Sequence, residues 1–285
     1  MLQSIIAAGL AMGAVYAMIG ITYNVMYTAS RVMSFTAGQL GMIGGVLGAF
    51  FILRLGIPII LGFFLTLAAC ALVGVITEII AVRPVLAALD KHLYVLSTLA
   101  VALMIQQFTA IEWSTEPQPF PLLIGIGSGV WHEKFWLPIL ACAVTIAGLE
   151  YLYRHTLLGH AFLAIAEDNF AARALGLPEQ GLRMASFALA GVVGGLAGFA
   201  SGELLLAYFG NGPVLNFYGF VPVALGGLGN NRGAIIGGLA LGLFQQAANF
   251  LVGGVFAAVA VFIVFILVLL AAPQGLFGAV AGRRV

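Results

Sequence analysis

The chain has few charged residues. Only 7% of its 285 residues are Asp, Glu, Lys or Arg, whereas soluble domains carry about 25%. Hydrophobic residues make up 62%, and the mean hydropathy is +1.14. This scarcity of charge excludes an ordinary soluble domain and predicts an all-α integral membrane protein that crosses the bilayer several times. The net charge of +1 gives no electrostatic basis for a nucleic-acid partner, so membrane lipid is the expected surrounding.

Motifs for ATP hydrolysis and metal catalysis are missing as well. Neither lysine, Lys91 or Lys134, follows a glycine, so there is no G-x-x-x-x-G-K-[ST] loop to cradle phosphate. HExxH, CxxC and GxSxG patterns do not occur, and the four histidines fall in loops or at the ends of predicted spans. We therefore predict no enzymatic activity, cofactor or metal site. Cys70 and Cys142 fall inside apolar runs and are expected to be buried thiols.

Long apolar runs, by contrast, are abundant. A span needs about 20 apolar residues. On that basis we predict helices near residues 4–26, 36–53, 57–82, 93–112, 135–153, 184–205, 215–229, 233–250 and 254–272. The seventh is short and rich in glycine, as a re-entrant or broken helix would be, so eight full spans are the alternative to nine. The N-terminus lacks the basic flank and cleavage site of a signal peptide and is interpreted as the first span.

Basic residues are distributed unevenly between the predicted loops. Short cytoplasmic loops hold an excess of Lys and Arg. If residues 154–183 are cytoplasmic, nine basic residues fall inside and only two, Arg54 and Lys134, fall outside. The N-terminus is therefore expected outside and the C-terminus in the cytoplasm. The nine inside residues are Arg31, Arg83, Lys91, Arg154, Arg173, Arg183, Arg232, Arg283 and Arg284.

Two glycine-rich stretches interrupt the apolar pattern with polar side chains. One covers residues 34–41, after the first predicted span, and the other covers residues 226–231, which we place just after the seventh span begins. Irregular backbone at membrane depth survives only where it is buried in protein or lines a wet cavity. Spans one to four and six to nine run in opposite senses around the fifth, and each group has a broken element. This arrangement fits an inverted repeat.

The polar residues inside the predicted spans are neutral. Ion-coupled carriers usually bury charged residues at mid-membrane, whereas the acidic residues nearest the spans here lie at span ends. A pathway of amides and glycines suits a neutral or zwitterionic solute. The alternative is that the amides only join helix to helix. The predicted pathway residues are Asn24, Gln39, Gln106, Gln107, Gly226, Gly227, Gly229 and Asn230.

Residues 154–183 form a polar segment between long apolar runs. They hold six of the 21 charged residues (11 basic and 10 acidic) and two of the histidines. Asp168 can cap a helix start, and Gly176 suits the left-handed position after a helix end. A short helix of about two turns is therefore predicted over residues 169–175, preceded by a second helix over residues 157–166. A loop of this size can fold outside the bilayer and be grasped by a partner.

The short helix also carries a family resemblance. Residues 168–176, DNFAARALG, resemble the loop of ABC-importer permeases whose pattern is E-A-A, three residues, G. There are departures: Phe170 stands at the Glu position, His160 replaces a common Arg, and residues 33–38 differ from the usual N-F-A-H-G-type stretch. The stretches that resemble the branched-chain amino acid permease family in particular are 158–161, 164–168, 191–202, 226–229, 237–238 and 272–278.

This resemblance implies the transmembrane subunit of a bacterial inner-membrane importer. Residues 1–285 would be a single permease domain, with 154–183 as its cytoplasmic coupling loop. The implied partners are two cytoplasmic ATPase subunits, a second related permease chain or a second copy, and a periplasmic binding protein. The small centre of the short helix, Ala171 and Ala172, would let an ATPase approach closely. At matching positions the ATPase-coupling residues would be Asp168, Phe170, Ala171, Ala172, Arg173 and Gly176.

The sequence leaves alternatives open both for the solute and for the class of protein. Branched-chain amino acids are the solute that the resemblance implies, and urea, short amides and aromatic acids are the alternatives within the same architecture. A stand-alone channel or facilitator would explain the neutral spans but not the capped cytoplasmic helix. A purely structural membrane scaffold would explain neither feature.

Overall fold

The computed structural model describes residues 2–86, 93–123, 125 and 132–271. The predictions that concern Lys91, Arg283, Arg284 and residues 272–278 lie outside the described residues. Short π-helical turns, Phe50–Arg54 and Glu78–Val82, extend the second and third helices. The helices are α1 (Leu2–Ser30), α2 (Ala37–Ala49), α3 (Ile59–Thr77), α4 (Arg83–Leu86), α5 (Leu93–Glu112), α6 (Glu133–His155), α7 (Leu157–Glu167), α8 (Asn169–Ala174), α9 (Glu179–Ala200), α10 (Gly202–Leu205), α11 (Asn211–Gly226), α12 (Asn231–Val252) and α13 (Gly254–Ala271).

The fold is an all-α bundle of membrane-spanning length, as predicted. Helices α11 and α13 occupy two of the nine predicted positions, and α11 has only 16 residues, which fits the short seventh span. The other seven positions hold helices long and apolar enough to cross a membrane: Leu2–Ser30, Ala37–Arg54, Ile59–Leu86, Leu93–Glu112, Glu133–His155, Glu179–Ala200 and Asn231–Val252. We call the end of the bundle that carries α7 and α8 the α8 end, and the other the opposite end.

Small residues let the central helices pack backbone to backbone. Helices α1 and α12 run antiparallel. A Cβ added to Gly9 would lie 3.0 Å from the Cα of Leu243, and one added to Gly20 would lie 3.3 Å from the Cβ of Ala234. Lipid is as apolar as a leucine side chain, so close van der Waals packing of this kind is what holds helices together in a membrane.

The packing pairs repeat in inverted order. Helices α1, α2 and α3 of the first group correspond to α9, α11 and α12 of the second. The α1–α12 contact then corresponds to the α9–α3 contact, and the α2–α9 contact corresponds to the α11–α1 contact. Helices α2 and α11 correspond to each other and are in direct contact. Helix α1 runs toward the α8 end, whereas α9 starts there and runs away from it. The groups α1–α2–α3 and α9–α11–α12 therefore have the same arrangement in opposite senses, as the inverted repeat requires.

Both groups contain a helix that begins inside the bundle. Residues 31–36 are not helical, and they bring Phe35 back beside Tyr23, with ring centroids 6.5 Å apart. Tyr23 lies about 10 Å before the end of α1 at the standard helical rise. Residues 206–210 form the corresponding non-helical segment before α11. The segment starts at Leu206, a non-glycine residue with φ of 57°. The predicted break at residues 34–41 is confirmed for residues 34–36, whereas residues 37–41 are the helical start of α2. The break at residues 206–210 was not predicted.

The second predicted break lies elsewhere than expected. Residues 226–231 were placed just after the seventh span begins, and this was wrong, because α11 starts at Asn211 and ends at Gly226. The stretch is instead the tight turn that joins α11 to α12 at the α8 end. Gly226 and Gly233 meet across this turn so closely that a Cβ on either would overlap the backbone of the other.

Candidate coupling site and translocation pathway

The segment between α6 and α9 folds as two capped helices. Thr156 caps the start of α7, and its Oγ1 accepts a hydrogen bond from the N–H of Gly159 at 3.1 Å. Asp168 caps the start of α8, and its Oδ1 accepts from the N–H groups of Phe170 at 2.9 Å and Ala171 at 3.1 Å. Gly176 follows the helix with φ of 83°. The predicted short helix, its cap and its glycine stop are all present.

The two faces of α8 differ in character. Ala172 is only 2% exposed and packs in a cluster with Phe162, Ile165 and Leu182. Its methyl group therefore points into the bundle, and the expectation that Ala172 offers a surface to a partner is wrong. Phe170, at 79%, shows most of its surface to solvent.

The outward face of α8 is apolar for a surface. Leu175, just past the helix, is 82% exposed, and Ala171, Arg173 and Ala174 are exposed between it and Phe170. We call these five residues, 170, 171 and 173–175, the α8 face. Aromatic and aliphatic side chains rimmed by a basic residue are the usual composition of a protein-binding surface.

Asn24 and Gln39 lie fully inside the bundle. Asn24 is 0% exposed, and its Oδ1 accepts the N–H of Gly229 at 3.0 Å. Gln39 is 1% exposed and faces Gly212, where an added Cβ would overlap the Gln39 amide. The Nδ2 atom of Asn24 and the Oε1 atom of Gln39 are buried and have no hydrogen-bond partner among the described residues. Such atoms are normally satisfied by water or by a ligand.

The predicted glycine positions form the α11–α12 turn. Gly227 and Gly229 have φ of 85° and 83°, a region that side-chain-bearing residues rarely adopt. Asn230 caps α12, with its Oδ1 accepting the N–H of Gly233 at 3.1 Å. The bond from Gly229 to Asn24 ties this turn to α1, so five of the predicted residues, Asn24, Gly226, Gly227, Gly229 and Asn230, come together at the α8 end of the bundle.

Gln106 and Gln107 lie apart from this group. Both are on α5, where Gln106 is half-buried and Gln107 is exposed. Within the described part of the chain, no hydrogen bond joins either of them to Asn24 or Gln39. Helix α5 packs on α2 and on the end of α3 but not into the centre of the bundle.

Two central polar residues were missed by the sequence reading. Asn216 on α11 and Tyr23 on α1 meet between the broken helices, where the Tyr23 hydroxyl donates to Oδ1 of Asn216 at 2.8 Å. A signal existed for Asn216, because it is an amide inside the apolar run of the seventh predicted span. Tyr23 gave none, since a tyrosine in a span is compatible with simple packing.

Two acidic residues, Glu133 and Glu203, lie together at the opposite end and form a carboxylate site. Glu133 is fully buried at the start of α6, and its two oxygens accept the N–H groups of Leu123 at 3.0 Å and Gly125 at 2.7 Å. Burial and the neighbouring Glu133 raise the pKa of Glu203 to about 7. Nδ1 of His132 lies 3.6 Å from Oε2 of Glu203. Across the described residues, no set of three or more His, Cys, Asp or Glu is arranged to hold a metal ion.

Comparison with known proteins decides the family. Residues 5–272 match the family model described as "Branched-chain amino acid transport system / permease component". The chain belongs to this family. The permease is 27% identical over 292 residues to the Escherichia coli (strain K12) protein named high-affinity branched-chain amino acid transport system permease protein LivH, covering 95% of this chain and 93% of the relative. The Pseudomonas aeruginosa permease protein BraD is likewise 27% identical over 292 residues, covering 95% and 94%.

A solved structure supports the fold alone. PsaBC from Streptococcus pneumoniae, determined in complex with Fab, aligns with the permease at a TM-score of 0.53 and 11% sequence identity, covering 96% of this chain and 92% of that chain. The overall helix arrangement is therefore shared with a solved protein of very different sequence. The resemblance to the branched-chain amino acid permease family, stated on stretches between residues 158 and 278, is confirmed by the family match over residues 5–272.

Proposed function

We propose that this chain is the transmembrane subunit of an ATP-driven importer for branched-chain amino acids, and that residues 1–285 form one permease domain. The observation that carries the proposal is the family match over residues 5–272, joined to the exposed, capped helix α8. The relatives are named for branched-chain amino acid transport, which favours leucine, isoleucine and valine over urea, amides or aromatic acids. ATP hydrolysis belongs to partner subunits, because this chain has no phosphate-binding loop.

The α8 face is the proposed docking surface for the ATPases. Two ATPase subunits would each grip one permease, either this chain and a related partner or two copies of this chain. Asp168 and Gly176 fix the helix ends, Phe170 and Leu175 supply the apolar contact, and Arg173 supplies charge. In this role Ala172 supports the helix from behind instead of touching the partner. The α8 end then faces the cytoplasm of a bacterial inner membrane.

The proposed orientation follows from the basic residues. With the α8 end inside, the N-terminus lies outside and the C-terminus lies in the cytoplasm, and Arg31, Arg83, Arg154 and Arg232 lie near the inner surface. A periplasmic binding protein would deliver the solute to the opposite end. Glu112 and Glu116 are exposed at that end.

The proposed pathway follows the broken helices. Gln39 and Asn24 hold buried polar atoms that a passing solute or water can satisfy. The glycine turn at 226–230 closes the route near the α8 end, where Asn24 anchors it through Gly229. Neutral amides suit a zwitterion that has to pass without being held tightly.

The deciding experiment tests docking at Phe170. Phe170→Glu places a charge in the proposed apolar contact while leaving the inward face of α8 intact. The permease is co-expressed with its ATPase subunits, purified in mild detergent and assayed for retained ATPase and for leucine uptake after reconstitution. We expect Phe170→Glu to lose ATPase subunits and uptake together.

Leu157→Glu is the matched control for docking, because Leu157 is 90% exposed at the same end but begins α7 instead of lying on α8. ATPase should stay bound in this variant. Full retention and uptake in Phe170→Glu would contradict the docking proposal. A wild-type permease that moves leucine without any ATPase would favour the channel alternative.

A further inference from the structure

A chain of polar contacts leads from α8 to the start of α9. Nε of Arg173, on α8, lies 3.3 Å from Oε2 of Glu179. Asn169, the first residue of α8, donates from Nδ2 to Oε1 of the same carboxylate at 3.1 Å. One turn further along α9, Nη1 of Arg183 lies 3.7 Å from Oε1 of Glu179. Glu179 thus joins both ends of α8 to a buried arginine.

Arg183 continues this chain to α3. Its Nε donates to Oε1 of Glu78 at 2.6 Å, and the Glu78 side chain is 0% exposed. Nη2 of Arg83, at the start of α4, donates to the other oxygen of Glu78 at 3.2 Å. One continuous set of contacts therefore connects the outer helix α8 with the end of a membrane-spanning helix. We call it the α8–α3 charge network: Asn169, Arg173, Glu179, Arg183, Glu78 and Arg83.

Stability alone does not account for the buried part of the network. Taking two charges out of water costs about as much as their attraction returns, and apolar replacements of buried pairs are often neutral or stabilising. Glu78 and Arg183 lie near the ends of their spans but are buried in the bundle, and buried ionisable residues of a membrane protein commonly mark a function. The pair Glu150–Arg154 at the same end is different, since its side chains are 51% and 62% exposed and nothing buried depends on it.

Helices α3 and α9, which the network joins, are in close backbone contact with each other. A Cβ on Gly74 of α3 would overlap the carbonyl oxygen of Phe187 on α9, and a Cβ on Gly191 of α9 would overlap the carbonyl of Cys70 on α3. With backbones in contact at two levels, α3 and α9 cannot slide past each other freely. Displacing the network therefore displaces both helices together.

Helix α9 also makes close backbone contact with α2. A Cβ on Gly198 of α9 would overlap the carbonyl oxygen of Gly41 on α2. Gly41 lies one turn after the start of α2, where Gly38 and Gln39 meet α11. A movement of the α3–α9 pair therefore reaches the centre of the bundle through direct backbone contact.

We propose that the α8–α3 charge network transmits movement of α8 to the α3–α9 pair, and so couples ATP hydrolysis to opening of the pathway. This inference rests on the proposed function and deepens it. The network members are positioning residues, because Glu179, Arg183 and Glu78 fix α8 to the spans. Holding the ATPase is the role of Phe170 and Leu175, which lie outside the network. Removing the network should leave ATPase docking intact, but ATP hydrolysis should no longer be coupled to transport.

The experiment uses the complete importer in proteoliposomes, with its ATPase subunits and its binding protein. Glu179→Ala cuts the network at its half-exposed link and leaves Arg183 paired with Glu78. The double variant Glu78→Gln/Arg183→Gln removes both charges of the buried pair together, so neither is left buried without the other. Arg83 loses its carboxylate partner but has a side chain 36% exposed, which water can reach. Glu150→Ala is the control, since it makes the same change in an exposed ion pair at the same end. The readouts are retained ATPase, basal ATP hydrolysis, and the ratio of hydrolysis with leucine-loaded binding protein to basal hydrolysis.

We expect Glu179→Ala and the double variant to retain their ATPase subunits and basal hydrolysis, while the stimulation ratio falls about tenfold, within the usual range of coupling between sites. Glu150→Ala should stay near the wild-type ratio. A structural role alone would lower the amount of complex and not the ratio. Full stimulation in both network variants would overturn the inference and leave the proposed docking intact. Loss of ATPase subunits in Glu179→Ala would also overturn it, because the network would then serve docking.

Discussion

The side-chain oxygen of Asn216, on α11, accepts a hydrogen bond from the backbone N–H of Gly38, on α2, at 2.8 Å. The same oxygen accepts the Tyr23 hydroxyl, and the Asn216 amide nitrogen donates to the carbonyl of Phe35. One amide thus joins the broken start of α2 to α1 and α11. The two halves of the inverted repeat meet at this side chain.

Replacing Asn216 with leucine should therefore loosen the centre of the bundle. Asn216→Leu leaves the N–H of Gly38 and the carbonyl of Phe35 buried without this partner, at a cost of about 1–3 kcal/mol for each unsatisfied group. We expect a lower thermal unfolding temperature in detergent and a loss of leucine uptake.

Asn249→Leu serves as the control for this prediction. Asn249 is half-buried on α12, and among the described residues its side-chain amide bonds within its own helix alone, to Gln246 at 3.3 Å. It should unfold near the wild-type temperature. Equal unfolding temperatures for Asn216→Leu and the wild-type permease would contradict a central role for the Asn216 contacts.

Two glycines of α2 should respond differently to the same methyl group. A Cβ on Gly38 would overlap the backbone of Asn216 and Gly212, whereas a Cβ on Gly45 would lie 3.4 Å from the nearest atom, the carbonyl oxygen of Gly198. Gly38→Ala should therefore separate α2 from α11 and abolish uptake, because backbone atoms cannot move aside as a side chain can. Gly45→Ala should keep uptake, with normal membrane expression of both variants checked by immunoblot. Normal uptake in Gly38→Ala would show that α2 and α11 need not touch there.

The features predicted well from sequence are local ones. Asp168 and Gly176 lie within a few residues of the helix they bound, so capping chemistry alone placed α8. The spans were predictable because each needs only its own apolar length. The π-helical ends of α2 and α3, and the irregular start of α11, carry no comparable local signature.

The features that sequence reading missed are contacts between distant segments. Asn216 and Gly38 are 178 positions apart, and Arg183 and Glu78 are 105 apart, so neither pairing leaves a pattern in a single sequence. The inward orientation of Ala172 depends on Phe162 and Leu182, which pack behind it. Small size at position 172 was a correct signal of close packing, but the packing partner is the permease itself.

The end of α8 should be sensitive to a side chain at Gly176. Gly176 has φ of 83° and nothing within 4 Å of an added Cβ, so alanine there meets backbone strain and no clash. We expect Gly176→Ala to cost about 1 kcal/mol locally and to reduce the ATPase retained on purification. Gly181→Ala is the matched control, since Gly181 is exposed in the first turn of α9 and an added Cβ would lie 3.9 Å from the nearest atom, the Cβ of Pro178, so ATPase retention should not change. Unchanged retention in Gly176→Ala would mean that the turn after α8 does not position the helix.

The orientation can be read by cysteine labelling. The free thiols, Cys70 and Cys142, are both buried, so the background reaction should be low. Gln118 is exposed at the opposite end, and Leu157 is 90% exposed at the α8 end outside the α8 face. In intact cells Gln118→Cys should react with a membrane-impermeant maleimide and Leu157→Cys should react only after permeabilisation. The reverse pattern would invert the proposed topology.

The carboxylate site at the opposite end predicts a pH dependence. Burial raises the folded-state pKa of Glu203 from 4.5 to about 7, and the neighbouring Glu133 adds to this. The folded permease therefore binds more protons than the unfolded chain between these values, and stability contributed at Glu203 falls as pH rises from about 4.5 to about 7. We expect the thermal unfolding temperature to drop between pH 5 and pH 8, and Glu203→Gln, which mimics the protonated acid, to reduce that drop.

Two further variants separate Glu203 from its surroundings. His132 lies 3.6 Å from Glu203 and Lys134 acts on it electrostatically, so His132→Gln is measured beside it to isolate the contribution of the imidazole. Glu116→Gln, at an exposed acid of the same end, should leave the pH profile as in the wild type. If Glu203→Gln and the wild-type permease lose the same number of degrees between pH 5 and pH 8, the proton is not held at Glu203 and the predicted source of the pH dependence is wrong.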